Sequence, residues 1–466
     1  MKAKKLLAIA LLCLSGAYEN QAHASIFDSA SRFNLHFQLT AIDQWHGTFT
    51  SPYQGLHSLS PDAENDLSLT STLFVGFRAW KYGEFYFDPE LGGGQGFSGA
   101  TGIAGFSNGE IYRVGNPTPT AYIGRIYWQQ YFPLKGNHNT LADDGPNQLK
   151  DNIPDKAFRL VIGKYCLADF FDNNVYSHDP RTQFINWATM SNGAWDYPAN
   201  TRGYTAAVLV GFVDKNFYIQ GCAALEPTYA NGPTLDWNIS KTIGLTGEIG
   251  YAFHWKKQTG MKPGTSDDTR TPVYTTYPIN VRVLFYNNIT RAANYNQTVS
   301  NYESGLTDTM NVNSQTAYNG NQKYGAGLSF DMALDDHVGL FARAGWNNGQ
   351  TASWAYTEID ETALLGVSFP NIFPKKYPNT LGICGVIDDI SQAHANFLAA
   401  GGYGFIIGDG KLPYYAPEII GEAYYNICIT QNIALAVDYQ YVQNPAYNPD
   451  RGPVKAIVSG RVHITF

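Results

Sequence analysis

Val454-Lys-Ala-Ile-Val-Ser-Gly-Arg-Val-His-Ile-Thr-Phe466 closes the chain, and its parity decides the fold class. Val454, Ala456, Val458, Gly460, Val462, Ile464 and Phe466 make one apolar or small face, while Lys455, Ser459, Arg461, His463 and Thr465 make a polar one. Successive side chains of a strand point to opposite sides, so this segment suits a wall with lipid on one face and water on the other. A terminal phenylalanine is also how outer-membrane β-barrels end. Phe466 is therefore the residue expected to be read by the barrel-assembly machinery.

The other terminus points to the same compartment. Lys2, Lys4 and Lys5 precede an apolar run over residues 6–14, and Ala22-His23-Ala24 offers a small-x-small cleavage site, so residues 1–24 read as a secretory signal peptide. Cys13 follows Leu12 inside the apolar run, which speaks against lipoprotein processing. Residues 25–466 read as a single domain, and no apolar stretch in them reaches the roughly 18 residues that a spanning helix requires. Without helices, backbone groups in hydrocarbon must pair between strands, and only a closed barrel leaves no edge. The expected home is the bacterial outer membrane, against lipid and lipopolysaccharide.

Composition agrees. Charged residues make up 15% of the chain, against about 25% in a typical soluble domain. The 32 tyrosines and 26 phenylalanines suit aromatic girdles. The formal charge of −8 becomes −10 without the leader and argues against nucleic acid or another polyanion as partner. Four cysteines follow the leader, namely Cys166, Cys222, Cys384 and Cys428, widely spaced and with no C-x-x-C. Disulfides are permitted in an oxidising compartment, but their pairing cannot be read, and parity sends Cys222 and Cys428 into the lumen as plain small residues. The histidines show no metal-ligand spacing, so neither a metal site nor a cofactor is expected.

Alternating segments of about ten residues recur along the whole chain. Glu84, Tyr86, Asp88 and Glu90 oppose Phe85, Phe87 and Leu91; Ile433, Leu435, Val437, Tyr439 and Tyr441 oppose Asp438 and Gln440. Comparable runs lie near 34–42, 68–80, 120–132, 157–165, 203–225, 243–255, 279–286, 323–346, 354–368, 382–388, 398–407 and 418–429. The count is about sixteen to eighteen strands. The expectation is an all-β, antiparallel, up-and-down transmembrane barrel of sixteen strands, with eighteen as the alternative, wide enough for an aqueous channel. Long connections are expected at 92–119, 136–156, 170–201, 256–277 and 287–322. Segment 169–204, too polar and turn-rich to span, is the candidate for a loop folded into the lumen.

Several words in these loops and strands resemble the carbohydrate-selective porins of bacterial outer membranes. They are DGPNQL (144–149), FFDNNVYSHDPRTQFINWA (170–188), AWDYPANTRGYT (194–205), YTEIDE (356–361), LAAGGYGFIIGDGKLPYY (398–415) and E-AYYN (422–426). The resemblance implies a passive diffusion channel of about sixteen strands that prefers mono- and oligosaccharides. Cys166 and Cys384 depart from the family pattern, and some divergent members carry a manganese-porin label, which leaves the solute open rather than the fold. Porins commonly assemble as trimers, so a homotrimer is the assembly to test, although no self-complementary face is legible.

A sugar channel needs polar groups that replace water's hydrogen bonds and rings that receive C–H faces. Strand parity turns Arg125, Arg159, Arg343 and Glu422 inward near mid-height, and the inward loop supplies Asp179, Arg181 and Trp187. These seven are the expected constriction residues. Most lumen ion pairs merely stiffen a wall, so each must be weighed against that role. Acidic pairs at Asp143-Asp144, Asp267-Asp268, Asp335-Asp336 and Asp388-Asp389 keep a divalent-cation channel as the second reading. An outer-membrane barrel enzyme is the third, but no catalytic residue is assigned. The chain lacks G-x-S-x-G and H-E-x-x-H, and GFIIGDGK (404–411) has the wrong spacing for a phosphate loop, reading instead as a tight outer turn.

Overall fold

The computed structural model describes residues 32–466 apart from 53, 112–115, 264–269, 314, 375 and 412–413, so the proposed leader lies outside the described residues. In chain order the strands are β1 (Phe33–His46), β2 (Glu64–Trp80), β3 (Gly83–Gly94), β4 (Asn116–Pro133), β5 (Asn139–Ala142), β6 (Asp151–Pro154), β7 (Lys156–Tyr165), β8 (Thr205–Asp214) and β9 (Phe217–Ala224). They continue with β10 (Ile243–Pro263), β11 (Arg270–Thr290), β12 (Asn321–Ala333), β13 (Gly339–Asn347), β14 (Glu361–Pro370), β15 (Asn379–Asp389), β16 (Glu418–Cys428), β17 (Ile433–Gln443) and β18 (Val454–Thr465). All but the small β5–β6 hairpin form one closed, antiparallel, sixteen-stranded barrel, sealed where β1 pairs with β18.

Parity does what the sequence indicates. In β3, Glu84, Tyr86, Asp88 and Glu90 are buried inside while Phe85, Phe87 and Leu91 face out. In β18, Ser459, Arg461 and His463 are buried and Val458 is exposed. The alternation fails at the start of β18, where Val454 is buried and Lys455 is exposed. A bulge explains it. Gln440 pairs with Ile457 but Val442 with Val454, so β18 carries one extra residue and the faces exchange above it.

The outer surface carries aromatic clusters near both rims, as a bilayer-spanning barrel requires. Trp80, Phe85 and Trp128 group with centroids 6.1–6.5 Å apart near the Phe466 end, and Tyr324 and Trp346 pair at 6.1 Å near the other. Leu365, Val437 and Ile383 are among the exposed apolar residues between them.

Short turns mark the Phe466 end, long loops the opposite one, which makes the first periplasmic and the second extracellular. Two connections expected to be long sit at the turn end instead. Residues 134–155 contain the β5–β6 hairpin. Most of 256–277 is strand, because β10 and β11 continue pairing to Pro263↔Arg270 while β9 engages only Gly244 to Tyr251, leaving a ribbon beyond its neighbours. Alternating polarity could not distinguish a ribbon projecting past the wall from a loop. The run 398–407 is not a strand either. It leaves a helix (Gln392–Ala399) and turns into the barrel.

None of the four cysteines forms a disulfide. Cys222 is buried beside the Tyr165 hydroxyl at 3.6 Å, so it behaves as a small inward residue.

Candidate permeation site

Residues 166–204 fold into the lumen as expected. A loop brought inside a barrel must have its backbone groups satisfied by the wall, or it loses about 1–3 kcal/mol per orphaned group. Many strands of the wall supply partners, β10, β12, β13, β16 and β18 among them. On β16, Glu422 accepts from the Ile185 amide at 2.6 Å, the Asn186 amide at 3.3 Å and the Thr189 hydroxyl. On β13, Arg343 donates to Asp172 Oδ1 at 3.0 Å, Ser177 Oγ at 3.0 Å and the Thr189 carbonyl at 3.2 Å. Asp331 on β12 accepts from the Val175 amide at 3.0 Å, and Glu248 on β10 accepts from the Asp172 amide at 2.7 Å. Arg461 on β18 donates to the Pro180 and Gln183 carbonyls at 2.8 and 2.7 Å.

Three further segments turn inward. Glu418 on β16 accepts from the Ala104 and Gly105 amides at 3.0 and 2.8 Å. Asp196 accepts from the Trp354, Ala355 and Tyr356 amides at 2.7–3.0 Å. Glu358 in turn accepts from the Ile406 and Ile407 amides at 2.8 and 2.7 Å, so GFIIGDGK is an inward segment rather than an outer turn. Gly404 is required there, since an added Cβ would stand 1.3 Å from Glu358 Oε1. The sequence signal that could have revealed these segments is their apolar content. Ile103, Phe106, Ile406 and Ile407 are fully buried, whereas a water-facing loop has no use for them.

Together the loops leave a cavity of about 330 Å³ between the inward loop and the β2–β4 wall. Part of the lining is an ionic track. Arg125 grips Asp169 through two hydrogen bonds of 2.6 and 2.7 Å and lies 3.5 Å from both Asp88 and Glu90. Glu90 also accepts from the Tyr204 hydroxyl at 2.6 Å. Arg181 pairs with Glu110 at 2.9 Å, and Arg202 lies 4.0 Å over the Tyr122 ring. Another part is aromatic. Trp187 stacks on Tyr356 at 5.5 Å, Tyr356 meets Tyr197 at 4.7 Å, and all three line the cavity.

Charge states in the loop follow from this packing. Burial works against the Arg181 charge, but Glu110, Glu90 and Asp179 outweigh it and keep the guanidinium protonated well beyond its usual range. Burial would likewise raise Asp179; the neighbouring Arg181, the Thr182 hydroxyl and the Arg181 amide hold it below the ordinary carboxylate value. Burial, aided by Arg343, lowers His178, which is therefore neutral at pH 7. Burial pushes the Cys166 thiol up to about 12.

Asp169 and His178 also line a second cavity, of about 390 Å³, nearer the turn end. Arg159 lies here, bonded to Gln129 at 3.1 Å and over the Phe170 ring at 4.7 Å. Of the seven residues expected at the constriction, Arg125, Asp179, Arg181 and Trp187 thus gather in the first cavity and Arg159 in the second. Arg343 and Glu422 line neither. Both are inward, as parity requires, but are only 3% and 2% exposed and spend their hydrogen bonds holding the loop. Glu110, Tyr197, Tyr204 and Tyr356 join the site without having been singled out for it.

The acidic pairs are dispersed. Asp144 pairs with His36 at 3.2 Å, Asp335 with Lys257 at 2.9 Å, Asp388 is buried in β15, and Asp267-Asp268 falls outside the described residues. Among the described residues no three His, Cys, Asp or Glu side chains are gathered to hold a metal ion.

A closed sixteen-stranded barrel, apolar outside and narrowed inside by a loop, defines an outer-membrane porin. The model of the carbohydrate-selective porin, OprB family, matches residues 75–466, and the chain belongs to that family. Among solved structures it is similar to Pseudomonas putida OprB, at 14% identity and TM-score 0.66, over 93% of this chain and 94% of that one. Weaker similarity, TM-score 0.45, extends to the DcaP channel of Acinetobacter baumannii (10% identity; 94% and 99% covered) and Salmonella typhi OmpF (11%; 95% and 100%). No curated protein matches the chain. The protein is thus an outer-membrane porin, and porins are channels rather than enzymes.

Proposed function

We propose that the chain carries mono- and oligosaccharides across the outer membrane by passive diffusion. The observation that carries this reading is the mixed lining of the cavity, where the rings of Trp187, Tyr356 and Tyr197 join Arg125, Arg181, Glu90 and Asp169. Rings receive the C–H faces of a sugar while the ion pairs exchange hydrogen bonds with its hydroxyls. The solute must bind weakly enough to leave. A divalent-cation channel would want carboxylates unopposed, whereas here Arg125 and Arg181 each stand within 2.9 Å of one.

The test is current through the purified barrel in planar bilayers while glucose or maltose is titrated. Dose-dependent block or noise is expected. No effect of either sugar, together with strong cation selectivity in a salt gradient, would give the channel to a metal ion instead. Trp187→Ala should weaken the block about two- to tenfold, the size of one lost ring contact of ~0.5–1.5 kcal/mol. Arg181→Ala should raise conductance or alter block by freeing Glu110; unchanged values for both would remove it from the solute's path.

The same reading takes residues 1–24 as a cleaved leader, Phe466 as the assembly signal, and a homotrimer among lipopolysaccharides as the working form. The mass of the native complex checks the trimer.

A further inference from the structure

The extracellular segment 291–320 holds a second kind of polar site. Its helix (Tyr295–Glu303) and the chain that follows enclose a cleft of about 750 Å³. Eight of the thirteen residues lining it are Asn or Gln, four are Ser or Thr, and the last is Ala293. No ionisable group is among them. This contrasts with the inner cavity, where three arginines and four carboxylates converge.

Several amides are held in place by their neighbours. Gln297 donates to Asn301 Oδ1 at 2.7 Å, and Gln315 donates to the Asn311 carbonyl at 3.2 Å. Each such amide commits a donor and retains a carbonyl oxygen and a second N–H, so the lining offers donors and acceptors in a set arrangement. Asn296 and Gln297 are exposed on the helix. The cleft is also tied to the barrel mouth. Asn311, part of its lining, bridges to Tyr403, and Asn313 donates to the Tyr403 carbonyl at 3.1 Å, in the segment that descends into the lumen.

A concave site of this size dense in neutral donors and acceptors matches a ligand with many hydroxyls and no charge. An anion or cation would find no countercharge in this lining, and an apolar ligand no apolar side chain beyond one alanine. We propose that this cleft is a capture site for neutral saccharide chains at the extracellular mouth. The proposal rests on the sugar-channel reading for its purpose but on the cleft alone for its chemistry. The absence of rings in the lining makes the binding weak and quickly reversible, as a site that hands solute to a channel requires.

The saccharide could be a free oligosaccharide or the neutral sugars of a neighbouring lipopolysaccharide, and two probes separate these. The full barrel in detergent is examined by saturation-transfer NMR with maltohexaose and, separately, with delipidated O-polysaccharide of neutral composition. The double variant N296A/Q297A changes two exposed side chains and leaves the barrel wall untouched. It is expected to lower saturation transfer about threefold or more for at least one probe, with ionic conductance unchanged. Loss with maltohexaose assigns the site to solute; loss with the polysaccharide alone assigns it to lipopolysaccharide. Saturation transfer equal to that of the native barrel for both probes overturns the proposal, whatever maltohexaose does to the current. Conversely, binding lost in the variant with no block of the native channel upholds the cleft and removes the channel reading.

Discussion

Arg343→Met should widen the channel and make it noisy. Arg343 is buried, and its guanidinium holds Asp172, Ser177 and Thr189 of the inward loop to β13. Removing one partner of a buried ion pair leaves the other charge without compensation, which typically costs about 3–5 kcal/mol. The wall need not bear that cost, since sixteen strands pair independently of it. The loop does. Asp172 is expected to seek water, carrying the loop with it, so that single-channel conductance rises and flickers between levels. Thermal unfolding followed by far-UV circular dichroism should still show an intact barrel. Steady conductance at the native level in a folded Arg343→Met barrel would mean that the contacts of Glu422 and Arg461 suffice to hold the loop.

The second large effect is electrostatic. Arg125→Met should turn the channel toward cations. Arg125 is the positive group among Asp88 and Glu90 at 3.5 Å and Asp169 at 2.6 Å, and its loss leaves Glu90 and Asp169 facing one region of the cavity, with Asp88 buried next to them. A unit charge about 5 Å from a passing ion is worth roughly 1–3 kcal/mol at an effective dielectric between that of water and 20. The cation-to-anion permeability ratio, read from reversal potentials in a salt gradient, should therefore increase on the order of tenfold. Arg125→Lys keeps the charge and should stay near native selectivity while losing the two-bond grip on Asp169. An unchanged reversal potential in Arg125→Met would place the ion path away from this wall.

The wall was legible because its physics is local. Lipid outside and water inside impose a period of two on each strand, and that period survives in β3, in β17 and in β18 beyond its bulge. Local reading also failed for local reasons. The bulge opposite Gln440 and Val442 exchanges faces near Val454, and the projecting β10–β11 ribbon looks like a loop. The apolar run at 398–407 alternates like a strand yet serves as an inward segment, anchored by Glu358.

The site divides the same way. Sequence parity alone determined that Arg125, Arg159, Arg343 and Glu422 point inward, and the polar, turn-rich run at 169–204 determined that a loop would join them. Which of these line a cavity and which are consumed as anchors was decided only in three dimensions. Arg343 and Arg125 are equivalent by parity. They differ because Asp172, Ser177 and Thr189 of a distant loop come to rest on one, while the other keeps Asp169 at the edge of open space. Tyr356 and Trp187, 169 residues apart in the chain, became one stacked surface through loops meeting inside a closed wall. Strand alternation is set between adjacent residues, whereas the channel's lining depends on how loops compete for the wall's hydrogen bonds, which no single segment encodes.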